Sequence, residues 1–196
     1  MWSKQSLLLR DKGQTLLELV VVMGVSVLVI GALVFATISS LRNAQFSKNQ
    51  TLATKLAQER IERVRTARDR NHIITISGVT AINSWDGNSS STCAGNALIK
   101  EDSLWCYQIP GDCDNPGINN TCYYFKLDPV VGTLTNIGTT TFPEDQAEQV
   151  SPFRIAIALS NDPDNYQNAK RVTAIVKWTD FSGDHESRLT TILRRR

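Results

Sequence analysis

The residues of this chain with chemistry to offer are few: four cysteines, two histidines and some scattered carboxylates. Cys93, Cys106, Cys113 and Cys122 lie in one short stretch with spacings of 13, 7 and 9. These spacings do not match the paired CxxC arrangement that holds zinc. An even number of cysteines outside the cytosol favours disulfides. Three connectivities are open. Cys93–Cys106 with Cys113–Cys122 is favoured, each bridge closing a short loop and contributing about 2–3 kcal/mol in the loop-entropy account. His72 and His185 have no serine or cysteine motif beside them, and no GxSxG, HExxH or phosphate-loop string occurs. Asp184-His185-Glu186 reads as a solvated turn. Asp112, Asp114 and Asn115 precede Gly117, and Asp162, Asp164 and Asn165 flank Pro163. Oxygens at alternate positions can hold calcium, but neither loop has the bidentate Glu of an EF-hand, and Asx turns account for both. The residues therefore predict no enzyme, no cofactor, no metal and no small-molecule substrate.

The remaining candidate is Glu18, at the mouth of an apolar run. Residues 19–38 carry no charge over 20 positions. A helix of that length matches the ~30 Å hydrocarbon core of a bilayer. The run is too long for the apolar segment of a cleaved secretory signal, and VFATISS is a poor cleavage site. Lys4, Arg10 and Lys12 precede it against Asp11. Basic flanks stay cytoplasmic, so the C-terminal part is expected outside. A carboxylate entering hydrocarbon costs on the order of 2.5–3.5 kcal/mol, so Glu18 needs a partner. The whole chain of 196 residues is 41% hydrophobic and 20% charged with mean hydropathy −0.19. That excludes a wholly disordered chain and a polytopic membrane protein.

The string Gly13-Gln14-Thr15-Leu16-Leu17-Glu18, followed by the apolar run, resembles the processing site of type IV pilins and pseudopilins. The resemblance implies cleavage after Gly13 by a prepilin peptidase on the cytoplasmic side. It implies N-methylation of the new N-terminus, Gln14, where the family usually has Phe. It places Glu18 at the fifth mature position, where its carboxylate meets the α-amine of a neighbouring subunit inside a filament core. A buried, paired carboxylate also selects register, because an unpaired one is costly. The implied partners are the peptidase, other pilin subunits, an assembly platform with its ATPase, and the lipid bilayer.

The elements that position these residues follow from composition. No Gly or Pro occurs between Gly31 and Gly78, and helix formers dominate from residue 42 to 71. Ala53, Ala57, Ile61 and Val64 recur at helical period beside Leu52 and Leu56. Glu59 precedes Arg63 by four residues and Glu62 precedes Arg65 by three. Span and arm therefore read as one helix over residues 15–70, stopped near Asn71. The string Ala57-Gln58-Glu59-Arg60-Ile61-Glu62-Arg63-Val64-Arg65 is similar to the helix end of minor pilins and minor pseudopilins. From residue 72 the pattern turns to β. Residues 73–76, 103–109, 121–127, 153–159 and 171–179 are strand candidates, and the last returns through 180–184 into 186–193 as a terminal hairpin. Residues 83–97 read as an exposed polar loop.

The expected fold is α+β: a long N-terminal helix, half membrane-spanning and half amphipathic, packed on a C-terminal antiparallel sheet. The expected divisions are a leader at 1–13, the transmembrane half-helix at 14–41, the amphipathic half at 42–71 and the head at 72–196. The arm from Arg42 to Arg70 has eight basic and three acidic residues, and the head from Asn71 to Leu193 has seven basic and fourteen acidic. This asymmetry suggests contacts between the head and a neighbour, or a solvated face. Nucleic acid is a weaker partner for the arm, because Phe46 is its one aromatic. The function expected is a structural, minor-type subunit of a pilus-like filament in the cytoplasmic membrane and then outside it. Its rivals are a pseudopilin of type II secretion, a competence pilus subunit, and a signal-anchored extracellular binding domain that does not polymerise.

Overall fold

The computed structural model describes residues 11–76, 82–109, 122–161 and 167–196, with backbone alone for 11–15. Helix α1 (Asp11–Asp69) is continuous through the predicted span and arm. Two units divide at Lys48/Asn49. In the first, the helix stands by itself, and every described side chain up to Lys48 is exposed. The hydroxyls that interrupt the apolar surface turn back on the helix: Ser26 Oγ donates to the Val22 carbonyl at 2.7 Å and Thr37 Oγ1 to that of Leu33 at 2.9 Å. Such back-bonding lets polar side chains sit in an apolar solvent.

The second unit is the α+β head. The segment from Asn49 buries Ala53, Ala57, Ile61, Val64 and Ala67. These sit three and four residues apart, which gives one narrow stripe. Ala53 and Ala57 are fully buried, and their small side chains let the helix approach the sheet closely. The helix ends as predicted. Asn71 takes φ 53°, Asn71 N–H bonds to the Arg68 carbonyl and His72 N–H to that of Ala67. That is a Schellman cap with asparagine in the left-handed position.

The strands are β1 (Ile74–Thr75), β2 (Thr92–Cys93), β3 (Asn96–Lys100), β4 (Tyr123–Leu127), β5 (Leu134–Gly138), β6 (Glu148–Val150), β7 (Phe153–Asn161), β8 (Ala169–Asp180) and β9 (Gly183–Arg194). The main sheet runs β1-β5-β4-β7-β8-β9, with β6 also paired to β7. Its pairings are antiparallel except β1 with β5. The face toward the helix carries Phe125, Leu127, Ile155, Ile157, Leu159, Val172, Ala174, Val176 and Trp178. A second, smaller cluster of Cys122, Tyr124, Ala156, Ala158 and Ile175 lies with Ile137 and Phe142 packed against it. β8 and β9 form the predicted terminal hairpin, closed by Phe181-Ser182 with Gly183 at φ 120°, a conformation open to glycine.

Three expectations change. Residues 103–109 form turns, not a strand: Ser103 N–H bonds back to the Lys100 carbonyl, Cys106 N–H to that of Ser103 and Tyr107 N–H to that of Leu104. The strand-like composition there serves burial of Leu104 and Trp105 instead. The loop at 83–97 is not wholly exposed. Trp85 is fully buried beside Trp105, their ring centroids 5.7 Å apart, and Ser84 is buried with it. Its end supplies β2 and the start of β3. Finally, β3, β5 and β6 went unpredicted, because their alternation is short or broken by polar residues.

Candidate functional site

Gly13 and Gln14 lie in the opening turns of α1, and Glu18 follows Gln14 by four residues, one helical turn on. Glu18 is exposed on the helix surface, at the edge of the uncharged stretch. Beyond it the apolar side chains from Leu19 to Leu41 are presented outward, Phe35 at 77% and Leu28 at 74% exposure. The helix is long and apolar enough to cross a membrane. Exposed apolar surface on this scale calls for lipid or another protein surface.

The cysteines support part of the predicted framework. Cys93 and Cys106 are bonded, with Cα atoms 5.6 Å apart. Cys122 is also in a disulfide. Cys113, its predicted partner, lies outside the described residues. So do both Asp-rich loops considered for calcium, at 110–121 and 162–166. Among the described residues, no three His, Cys, Asp or Glu side chains are grouped to hold a metal ion.

Four of the arm's arginines bond to their own head. Arg60 is buried and grips Glu148 with two bonds, Nη2 to Oε1 at 2.6 Å and Nε to Oε2 at 2.9 Å. Arg63 donates to the Pro129 carbonyl at 2.7 Å, Arg65 to Thr191 Oγ1 at 3.1 Å and Arg68 to the Arg194 carbonyl at 3.0 Å. Helical periodicity alone did not reveal Arg60 as a core residue. It follows Ala57 by three and precedes Val64 by four, which places it on the buried face.

A groove of about 550 Å³ with polar walls in the head is lined by Glu144, Arg154, Lys177, Trp178, His185 and Glu186 among others. His185 is half-buried rather than solvated. It stacks on Trp178 at 5.4 Å, and its Nε2 lies 2.8 Å from Asp180 Oδ1 and 3.1 Å from Ser182 Oγ. Serine, histidine and aspartate thus meet, but not as a nucleophilic triad. A triad needs serine and aspartate on different ring nitrogens. Here both address Nε2, and Ser182 Oγ donates to Asp180 Oδ1 at 2.6 Å. Bonds from the Ser182 hydroxyl and backbone N–H hold the Asp180 carboxyl down at about 2. The cluster fixes the hairpin turn. A comparison of the chain with protein-family models, curated proteins and solved structures finds no match.

Proposed function

We propose that the chain is the precursor of a minor-type subunit of a type IV pilus-like filament. A prepilin peptidase cuts after Gly13 and methylates Gln14. The helix holds the subunit in the cytoplasmic membrane with its head outside. An assembly platform and ATPase then move it into a filament, where helix surfaces replace lipid. The observation that carries this reading is the coupling of two features on one helix: an apolar surface left uncovered among the described residues, and a single carboxylate at its edge, four residues after the proposed N-terminus.

The physical logic is charge neutralisation. A lone carboxylate is tolerated at the membrane boundary, where water reaches it. Within a filament core it needs a cation, and the α-amine released by cleavage supplies one. Glu18→Ala is therefore expected to leave membrane insertion intact, since it removes a charge that opposes insertion. It is expected to reduce incorporation into filaments by about tenfold or more, the weight of at least 1.4 kcal/mol. Membrane fractionation and quantitation of sheared filaments in the native host read the two effects separately. Normal incorporation of Glu18→Ala contradicts the proposed pairing.

A further inference from the structure

β9 is a long open edge of the main sheet. It ends the strand order, and among the described residues no strand pairs with it on the side away from β8. The opposite edge is β1, two residues long and extended by a bridge from Ile73 to Ser84. Open edges are usually blunted by proline, by a bulge or by a covering segment. β9 has no proline, and its register with β8 runs unbroken from Gly183 to Arg194.

The direction of its backbone groups follows from the hairpin. The two-residue connection leaves Asp180 and Gly183 as the pair that exchanges both backbone bonds. Odd-numbered residues of β9 therefore bond to β8, and even-numbered ones turn their N–H and C=O to the open side. Two contacts agree with this. Arg195 N–H continues the ladder to the Asn168 carbonyl, whereas the Arg194 carbonyl accepts from Arg68 of the helix. The backbone groups of Glu186, Thr190 and Ile192 on the open side have no hydrogen-bond partner among the described residues. The side chains along this edge are sorted by sign. Asp184 and Glu186 lie in the first half of the strand, and Arg194 lies in the second with Arg195 and Arg196 behind it.

We infer that two copies of this chain pair edge to edge through β9, antiparallel and centred on Thr190, to make one continuous sheet. The inference goes beyond the filament reading and needs only the folded head. A parallel copy in register sets each charge against its like, which is destabilising. An antiparallel copy with Thr190 opposite Thr190 sets Glu186 against Arg194 and Asp184 against Arg196, each twice, and Arg188 against Ile192. Centring on Arg188 instead sets that arginine against itself. Glu186 already has Lys177 and Arg188 beside it in its own chain, and Arg196 has Asp69. Exposed pairs of this kind are weak and exchange at little cost. The charges therefore set direction and register, while the backbone edge supplies the bonds. The Arg194 carbonyl keeps a second acceptor site beside Arg68.

The test uses the full chain in detergent, where sedimentation equilibrium is expected to show a dimer. Ile192→Pro removes an edge N–H and no bond to β8, and is expected to weaken the dimer about tenfold or more. Arg194→Glu sets like charges together and is expected to weaken it about threefold or more. Adding Glu186→Lys to Arg194→Glu restores opposite charges and is expected to recover the dimer. Tryptophan fluorescence shows which variants fold, and the charge variants decide if Ile192→Pro does not. Direction is read with spin labels, since no described cysteine is free. Labels at Thr190→Cys are expected within about 15 Å of each other, and labels at Phe181→Cys more than about 40 Å apart. A monomer at every concentration overturns the inference. So does a dimer that survives Arg194→Glu and every folded edge variant, or one whose labels are as close at residue 181 as at 190. Processing at Gly13 is read separately by intact mass, so a correctly processed chain without this dimer sinks the inference alone.

Discussion

Glu148→Ala is expected to destabilise the head by about 3 kcal/mol or more, because it strands a buried guanidinium. The Arg60 side chain is 6% exposed and that of Glu148 12%, so neither charge has water to fall back on. Their two-point contact gives the geometry that makes an Arg–carboxylate pair strong. Glu59 also touches Arg60, at 3.0 Å, but its side chain is 46% exposed. Glu59→Ala is therefore expected to cost under about 1 kcal/mol, as exposed pairs do. Replacing both partners, Arg60→Met with Glu148→Met, removes the stranded charge and should cost much less than Glu148→Ala alone. Denaturation of the full chain in detergent reads all three through Trp85, Trp105 and Trp178, which are all buried in the head. Equal costs for Glu148→Ala and Glu59→Ala contradict the assignment of Arg60 as a core charge.

The second large effect is a pH dependence set by Lys170. This lysine is fully buried, with Nζ donating to the Tyr107 carbonyl at 2.6 Å and to Asn161 Oδ1 at 2.7 Å. Asn161 in turn donates to the Ile109 carbonyl at 2.7 Å. Together they pin 107–109 to the β7–β8 hairpin. Burial disfavours the ammonium and lowers its pKa to about 7. In the unfolded chain it titrates at about 10.4. Between those values the unfolded state binds more protons, so stability rises with pH, at most by about 1.4 kcal/mol per unit. Below about 7 both states are charged and the contribution is flat. Tyr107 acts in the opposite sense. Burial and the neighbouring Tyr123 hydroxyl push it up to about 12, so the folded state holds that proton and stability falls above about 10. The head is thus expected to be most stable on the alkaline side. Lys170→Met should remove the rise above pH 7 while leaving the fall above 10. A rise that persists in Lys170→Met contradicts this account.

The helix was legible in the sequence because length, hydropathy and an uninterrupted run of helix formers all point the same way. Its end was legible because asparagine tolerates the left-handed position that the cap requires. β7, β8 and β9 were legible because segments with apolar and β-branched residues stand between turn residues. Residues 103–109 misled because strand-like composition can also serve a disulfide-tied turn with two buried side chains. The polar look of 83–97 hid Trp85, whose burial depends on Trp105 twenty residues away. Arg60 was invisible for a related reason: its partner, Glu148, sits 88 residues on, and no local pattern announces it. The same holds for Lys170 and the groove beside His185. Helical period and strand alternation report local geometry, whereas buried ion pairs and clefts are set by packing between distant segments. The processing string is the opposite case. Its content is local, and so the whole of that candidate site could be read from residues 13–18.

The most direct test of the account is the intact mass and N-terminal residue of the protein purified from membranes of a host with its own prepilin peptidase. The account predicts a chain that begins at Gln14 and carries one added methyl group. A membrane-bound chain that still begins at Met1 contradicts it and leaves an anchored extracellular domain in its place.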